Sequence, residues 1–134
     1  MEVFEIQLTV VKDDLDQLNH VNNIRYVKWV QDIAAQHWQT RATQDILDSY
    51  YWVMLSHHIK YKGEAVLGDE LLLKTFITKS EGVKSIRQVE IYNAKSGKLI
   101  TTSETEWCLI SKHNNRPARI TTELNSLFVK KELK

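Results

Sequence analysis

The 134-residue sequence has only one cysteine, Cys108, and carries almost no net charge. A single cysteine excludes an intrachain disulfide and a cysteine zinc cluster, and it favours a reducing compartment. The formal net charge is +1, so no strong electrostatic field favours nucleic acid or an anionic membrane as a partner.

Long apolar runs and common cofactor motifs are missing as well. The N-terminus lacks the basic start and apolar run of a signal peptide. No stretch approaches the ~20 apolar residues that a membrane-spanning helix needs. Phosphate-loop, dinucleotide and zinc motifs are absent, and so are internal repeats and linkers. We therefore expect a cytoplasmic protein with no metal or cofactor and with neither nucleic acid nor membrane as a partner.

What remains is the composition of a soluble globular protein, with 43% hydrophobic and 26% charged residues. A chain of this length suits one compact domain, which we expect to cover residues 1–134.

Hydrophobic periodicity predicts the order of helices and strands. Helical spacing with a broad apolar face covers about residues 22–40, and Asn22 is a plausible N-cap. Shorter helices are predicted near residues 44–48 and 122–129, a turn with Gly97 over residues 93–98, and a loop over residues 114–117. A period of two, typical of half-buried strands, marks five segments near residues 4–10, 51–61, 71–77, 86–92 and 99–111. An antiparallel sheet wrapped around the long helix satisfies this order, because the helix needs a sheet face to cover it, and the predicted class is α+β.

The polar loop at residues 12–20, just ahead of the long helix, is the first candidate for chemistry. A helix N-terminus offers unpaired amides and a positive dipole end, which can stabilise the oxyanion of a tetrahedral transition state. A carboxylate just upstream, such as Asp16, can act on the same carbonyl as general base or nucleophile, with Asn19 and His20 close by. Alternatively, Asp14 and Asp16 are ordinary loop or capping acids, and the residue types alone leave both interpretations open.

The segment at residues 14–29, DLDQLNHVNNIRYVKW, discriminates between these interpretations. It resembles the signature of the hotdog-fold thioesterases, in the 4-hydroxybenzoyl-CoA thioesterase-like group that also includes plant acyl-ACP thioesterases. The shared pattern is two acids flanking one residue, a His-Val-Asn-Asn run, and a Tyr and a Trp at helical spacing. Gly68-Asp69 and the segment at residues 116–120 also look like family features.

The resemblance implies specific roles in the loop and at the helix start. Asp16 matches the catalytic carboxylate, and Asn23 matches the position whose backbone amide points at the thioester carbonyl. His20 matches a histidine of the plant enzymes, and with Asn19 it would orient the water or the loop. Many relatives have Gly at the position of Asn19, and Asn is a residue that tolerates the left-handed conformation. The plant enzymes have an asparagine that is often assigned a role, and Leu18 occupies its position here.

The resemblance also implies a hotdog fold that hydrolyses acyl-CoA or acyl-ACP without a cofactor. The acyl chain is expected in an apolar slot beside the helix, next to Tyr26 and Val30. Because a hotdog protomer leaves a sheet edge and much of its site open, the resemblance implies a homodimer, or a dimer of dimers. The two alternatives are a non-hydrolytic acyl-thioester-binding protein and a hydratase or dehydratase of acyl thioesters.

Other chemically interesting side chains are weaker candidates. Lys112, Arg116 and Arg119, in a polar stretch with His113, suit the phosphates of coenzyme A or form a solvated turn. His37 is predicted to be a hydrogen-bonded core residue. Ordinary structural or surface roles are expected for the remaining candidates: His57 and His58 on opposite strand faces, a structural Cys108, and the acids Glu64, Glu104 and Glu106.

Overall fold

The computed structural model describes residues 1–129, so residues 130–134 of the predicted domain lie outside the described part. The elements are β1 (Phe4–Thr9), a 3-10 turn (Lys12–Asp14), α1 (Asn23–Arg41), α2 (Gln44–Ser49), β2 (Tyr50–Tyr61), β3 (Glu70–Glu81), β4 (Lys84–Asn93), β5 (Leu99–Ser111), β6 (Arg116–Pro117) and α3 (Thr122–Ser126).

The strands form one antiparallel sheet in the order β1-β3-β4-β5-β2, and β6 pairs with the end of β5. The predicted antiparallel sheet around one long helix is confirmed. One local prediction is wrong: Arg116 and Pro117 form a two-residue strand rather than a loop, because they pair with Ser111 and Ile110.

Helix α1 covers the inner face of the sheet with one continuous apolar stripe. Its buried residues recur at helical spacing and are Tyr26, Trp29, Val30, Ile33, Ala34 and His37. They pack against alternate residues of the sheet, which are Leu71, Leu73, Val89 and Ile91. Ile33 is 0% exposed, so its replacement by alanine is expected to cost roughly 2–5 kcal/mol through lost burial and the remaining cavity.

The apolar residues predicted to alternate along β2 do not all lie on the same face of the sheet. The pairing register with β5 shifts between Met54 and Ser56, so Leu55 forms a bulge. As a result Tyr51, Val53 and Leu55 are 36%, 41% and 48% exposed. Within the described residues β2 pairs only with β5, so it is an edge strand that carries exposed apolar side chains.

A polar cluster lies at the C-terminal half of α1, and His37 is its centre. The His37 ring is fully buried; its Nδ1 accepts from Nη1 of Arg87 at 2.9 Å, and its Nε2 donates to Oε1 of Glu2 at 2.8 Å. This tautomer follows because a guanidinium can only donate. Arg41 Nε donates to the same Glu2 oxygen at 2.7 Å. The prediction that His37 is a hydrogen-bonded core residue is confirmed.

The other histidine and cysteine predictions concern single side chains. His57 is half-buried and the neighbouring His58 is exposed, as expected for opposite strand faces, and Cys108 is buried at 6% exposure. Within residues 1–129, no group of His, Cys, Asp and Glu has the arrangement of a metal site. No helix of that part is long and apolar enough to cross a membrane.

Candidate functional site

The loop before α1 is closed on itself by backbone pairing. Leu15 and Val21 form an antiparallel bridge, and the amide of Asp16 donates to the carbonyl of His20 at 2.8 Å. Asn19 adopts a left-handed conformation with φ 62°, and its amide donates to the Asp16 carbonyl at 3.1 Å. Asn19 therefore adopts the left-handed conformation that glycine would adopt at this position, as expected because asparagine tolerates it, and the tight turn forms.

The two acids of the motif have different surroundings. Asp14 is buried, its Oδ2 accepts from the Val11 amide at 2.9 Å, and its Oδ1 lies 3.1 Å from Nε of Arg25. Arg25 also donates to the carbonyl of Asp13 at 3.0 Å. Asp14 is thus a structural acid that ties the loop to the first turn of α1. The sequence reasoning did not identify Arg25 as its partner.

Asp16 is half-buried and lines an open cleft of about 720 Å³. Its Oδ1 accepts from the amides of Leu18 at 2.8 Å and His20 at 3.2 Å. No described residue donates to its other carboxylate oxygen, Oδ2. One oxygen therefore orients the carboxylate while the second remains available for a water or a substrate carbonyl carbon.

The start of α1 leaves one backbone amide free beside this cleft. Asn22, the predicted N-cap, lines the cleft with Asp16. Its side-chain oxygen accepts from the Ile24 amide at 3.0 Å, and its carbonyl accepts from Arg25 at 2.8 Å. The Asn23 amide donates to no described residue. A free amide at the positive end of a helix is suited to stabilise an oxyanion.

His20 lies on the other side of the loop, where it meets the chain after β2. Its backbone bridges to Val66, and its Nε2 lies 3.4 Å from Oε2 of Glu64. Gly68, with φ 84°, and Asp69 form the adjacent turn. The Gly68 amide donates to the Val10 carbonyl, and the Val10 amide donates to the Asp69 carbonyl. The family-like Gly68-Asp69 pair therefore holds this segment against the loop, and Glu64 is the acid that the structure brings to His20.

Tyr26 faces the core of its own chain. It is 2% exposed, and its ring contacts Trp29 edge-on at 5.6 Å and Tyr61 at 5.9 Å between centroids. Burial raises its pKa to about 12, and the nearby carboxylates Glu64 and Asp69 also raise it. Its predicted contact with the substrate stays a prediction.

The basic residues predicted to meet phosphates lie at the opposite end of β2 from Asp16. Lys112 donates through its amide to Ser49 and through Nζ to Leu47, both just before β2. The Asp16 loop instead meets residues 64–66, just after β2. Strand β2 has twelve residues between the two sites, and its eleven steps span about 36 Å along the strand at ~3.3 Å per step. Lys112, Arg116 and Arg119 therefore do not join Asp16 within one chain, and their role stays a prediction.

Comparison with known proteins agrees with this architecture. A family model described as the thioesterase-like superfamily matches residues 10–128, whereas no curated protein matches the sequence significantly. The fold resembles that of a 1,4-dihydroxy-2-naphthoyl-CoA thioesterase from Synechocystis with a TM-score of 0.81, at 18% identity and over 94% of this chain and 95% of that one.

Two further solved structures share the fold. A 4-hydroxybenzoyl-CoA thioesterase variant in complex with 4-hydroxybenzoyl-CoA gives a TM-score of 0.85 at 11% identity, covering 96% of this chain and 100% of that one. A 12:0-ACP thioesterase from Umbellularia californica gives 0.80 at 15% identity, covering 96% of this chain and 51% of the other. The predicted hotdog fold is thus confirmed.

Proposed function

Because the chain belongs to the thioesterase-like superfamily, we propose that it hydrolyses acyl thioesters, of coenzyme A or of acyl carrier protein, to a carboxylic acid and a thiol. The observation that carries the proposal is the arrangement at the start of α1. A half-buried Asp16, oriented through Oδ1 by two backbone amides, lines the same cleft as the N-cap residue Asn22.

In the proposed mechanism the free amide of Asn23 polarises the thioester carbonyl. Asp16 then either attacks the carbonyl carbon through Oδ2 or takes a proton from an attacking water. Both routes break the C–S bond, and the thiolate leaves after the tetrahedral intermediate collapses. In the first route Asp16 displaces the thiolate and forms an acyl-carboxylate anhydride, which one water must then hydrolyse to release the acid and restore the carboxylate. In the general-base route water attacks the thioester directly and no anhydride forms.

Asn19 and His20 have supporting roles in this proposal. Asn19 holds the left-handed turn that allows Oδ1 of Asp16 to reach two amides. His20 lies within 3.4 Å of Glu64, and this pair would orient the water or the thiol end of the substrate. The role of either side chain is therefore to position groups rather than to attack the substrate.

We further propose that two chains pair antiparallel through their β2 edges. The exposed Tyr51, Val53 and Leu55 would be covered in such a pair, and an unpaired edge would be protected. Antiparallel pairing places the start of one β2 beside the end of the other. Lys112, with Arg116 and Arg119, would then approach the partner subunit's Asp16 and meet the substrate phosphates there. The predicted cytoplasmic location and pairing of dimers into a tetramer stay predictions.

Thiol release from a panel of acyl-CoAs tests the proposal, with Asp16→Asn measured beside the parent protein. Asparagine keeps the oxygen that accepts from Leu18 and His20, so the loop should keep its shape. Loss of the carboxylate as base or nucleophile is expected to lower kcat/KM by ~100-fold or more. Asp13→Asn is the matched control, because Asp13 is an exposed acid of the same loop whose side chain contacts nothing described.

The outcomes separate three functions. Equal rates for the parent and Asp16→Asn would show that Asp16 has no catalytic role. Binding of acyl-CoA without hydrolysis would favour the acyl-thioester-binding alternative. Addition of water to an unsaturated acyl-CoA, without thiol release, would favour the hydratase alternative.

A further inference from the structure

His57 lies on the inner face of β2, the face that it shares with Ile59, because alternate residues of a strand point to the same side. Ile59 packs against the core cluster that includes Tyr26 and Val30 of α1. Tyr61, the last residue of β2, contacts the Tyr26 ring at 5.9 Å between centroids. His57 therefore continues the side of β2 that borders the slot beside α1, where the acyl chain is expected.

The Nε2 atom of His57 is buried and has no hydrogen-bond partner among residues 1–129. Thr105 lies directly opposite on β5, but its hydroxyl is engaged elsewhere. That hydroxyl donates to the carbonyl of Arg87 at 3.4 Å and accepts from Nε1 of Trp107 at 2.8 Å. Because nearly all buried polar groups in native proteins are paired, a partner for this nitrogen is expected from outside the described part of the chain.

The protonation state of His57 indicates which kind of group fits. Burial and the neighbouring His58 lower the pKa of His57, so its imidazole is mostly neutral at pH 7. Each nitrogen of a neutral imidazole either donates or accepts one hydrogen bond, according to the tautomer. A hydroxyl group both donates and accepts, so it pairs with Nε2 in either tautomer. The group that suits this nitrogen best is therefore an uncharged hydroxyl.

We propose that His57 is a specificity-determining residue that binds a hydroxyl group on the acyl chain of the substrate, an inference that rests on the proposed thioesterase function. His57 is four residues from Tyr61 along β2, about 13 Å at ~3.3 Å per residue. The hydroxyl therefore belongs to the distal part of the acyl group, away from the thioester carbonyl at the start of α1. A site built to bind a substrate hydroxyl rejects the analogue that lacks it, because the polar atom of the protein then stays buried and unpaired.

Pairs of acyl-CoAs that differ only in a terminal hydroxyl test the proposal. The pairs are octanoyl-CoA with ω-hydroxyoctanoyl-CoA, decanoyl-CoA with ω-hydroxydecanoyl-CoA, and phenylacetyl-CoA with para-hydroxyphenylacetyl-CoA. We expect kcat/KM to be about 10-fold or more higher for the hydroxylated member of at least one pair, as a hydrogen bond to an otherwise unpaired buried atom provides. Equal kcat/KM within every pair would overturn the proposal, and it would leave thioester hydrolysis itself standing.

Substitutions on the two faces of β2 assign the preference to His57. His57→Leu should remove it, because leucine is apolar and of similar size, and kcat/KM for the unsubstituted chain should approach that for the hydroxylated one. His57→Gln keeps a hydrogen-bonding group and should retain part of the preference. His58→Leu is the matched control, since His58 is the exposed neighbour on the opposite face of the strand. A preference that persists in His57→Leu would overturn the role of His57.

Two further measurements separate this role from a structural one and from the chemistry. His57→Leu removes a buried unpaired atom, so its Tm should be unchanged or higher; a lower Tm with an unchanged preference would assign His57 to the fold and overturn the proposal. Dissociation constants of the same pairs for Asp16→Asn should show the preference without hydrolysis. A protein that binds thioesters but does not hydrolyse them would still show it, so the two proposals can fail separately.

Discussion

His37 gives the protein a pH-dependent stability that can be calculated from the structure. Burial lowers its pKa to about 4, the charges of Arg87 and Arg41 act in the same direction, and its bond to Glu2 opposes them. An unfolded histidine titrates near 6.5. The unfolded chain therefore binds a proton at a pH where the folded protein does not, and acid favours unfolding.

The sign and the pH range follow from this difference. The stabilisation is fully present above pH ~6.5 and is lost as the pH falls toward 4. With these two pKa values, the free energy of unfolding should fall by about 1 kcal/mol between pH 7 and 5.5, and on the order of 3 kcal/mol by pH 4. Glu2 titrates lower: burial acts to raise its pKa, but hydrogen bonds from Arg41 and His37 outweigh that effect and lower it. Its contribution is lost only below its unfolded pKa of 4.5.

Urea unfolding at pH 7, 6.25 and 5.5 measures the effect above the range in which ordinary carboxylates titrate. His37→Gln should flatten the profile by about 1 kcal/mol, because glutamine can still donate to Glu2 and accept from Arg87 but does not titrate. His58→Gln, at an exposed position, is the control. His57, whose pKa is lowered by burial and by His58, contributes the same slope to the parent and to His37→Gln. Identical pH slopes for the parent and His37→Gln would refute the reasoning.

Three further predictions concern the site and its assembly. Asn22→Ala should lower the free energy of unfolding by about 1 kcal/mol through the lost N-cap, and it should lower thioesterase activity because the start of α1 loosens. Thr43→Ala removes the cap of α2 at a similar cost but should leave activity unchanged. Equal activity losses in the two variants would show that catalysis does not depend on the start of α1. Asn19→Gly should raise the free energy of unfolding or leave it unchanged, whereas Asn19→Ala should lower it by about 1 kcal/mol because φ is 62°; thermal unfolding that ranks alanine above glycine would contradict this. Val53→Lys should raise the dissociation constant of the proposed dimer about 10-fold or more, because each of the two symmetry-related subunits brings one lysine charge into the interface. An unchanged dimer in sedimentation experiments would exclude pairing through β2.

The secondary structure was largely predictable because local patterns specify it. Period-two segments and the helical stripe of residues 22–40 became strands and α1, with ends displaced by one or a few residues. Asn22 acts as the N-cap, because capping depends only on a short side chain and the next amides. The bulge at Leu55 was not predictable, since it depends on pairing with β5 rather than on the sequence of β2 itself.

The surroundings of individual site residues depended on contacts between distant segments. Asp14 and Asp16 are indistinguishable by residue type, yet the ion pair with Arg25 makes one of them structural. Glu64 reaches His20 only because the chain after β2 returns to the loop. The cavity that Arg87 lines between α1 and the sheet combines residues of the helix with residues of four strands, and no short segment of sequence contains it.

The sequence by itself determined the order of elements, the buried stripe of α1 and the resemblance of residues 14–29 to thioesterases, because these depend on nearest neighbours along the chain. Only the tertiary structure decided that Asp16, and not Asp14, keeps an oxygen to which no residue of 1–129 donates, and that Lys112, Arg116 and Arg119 lie far from Asp16 in one chain. It also decided that Arg87 is buried without a carboxylate partner among those described residues. These properties depend on burial and on charge pairs between residues distant in sequence, and chain folding alone brings such residues together.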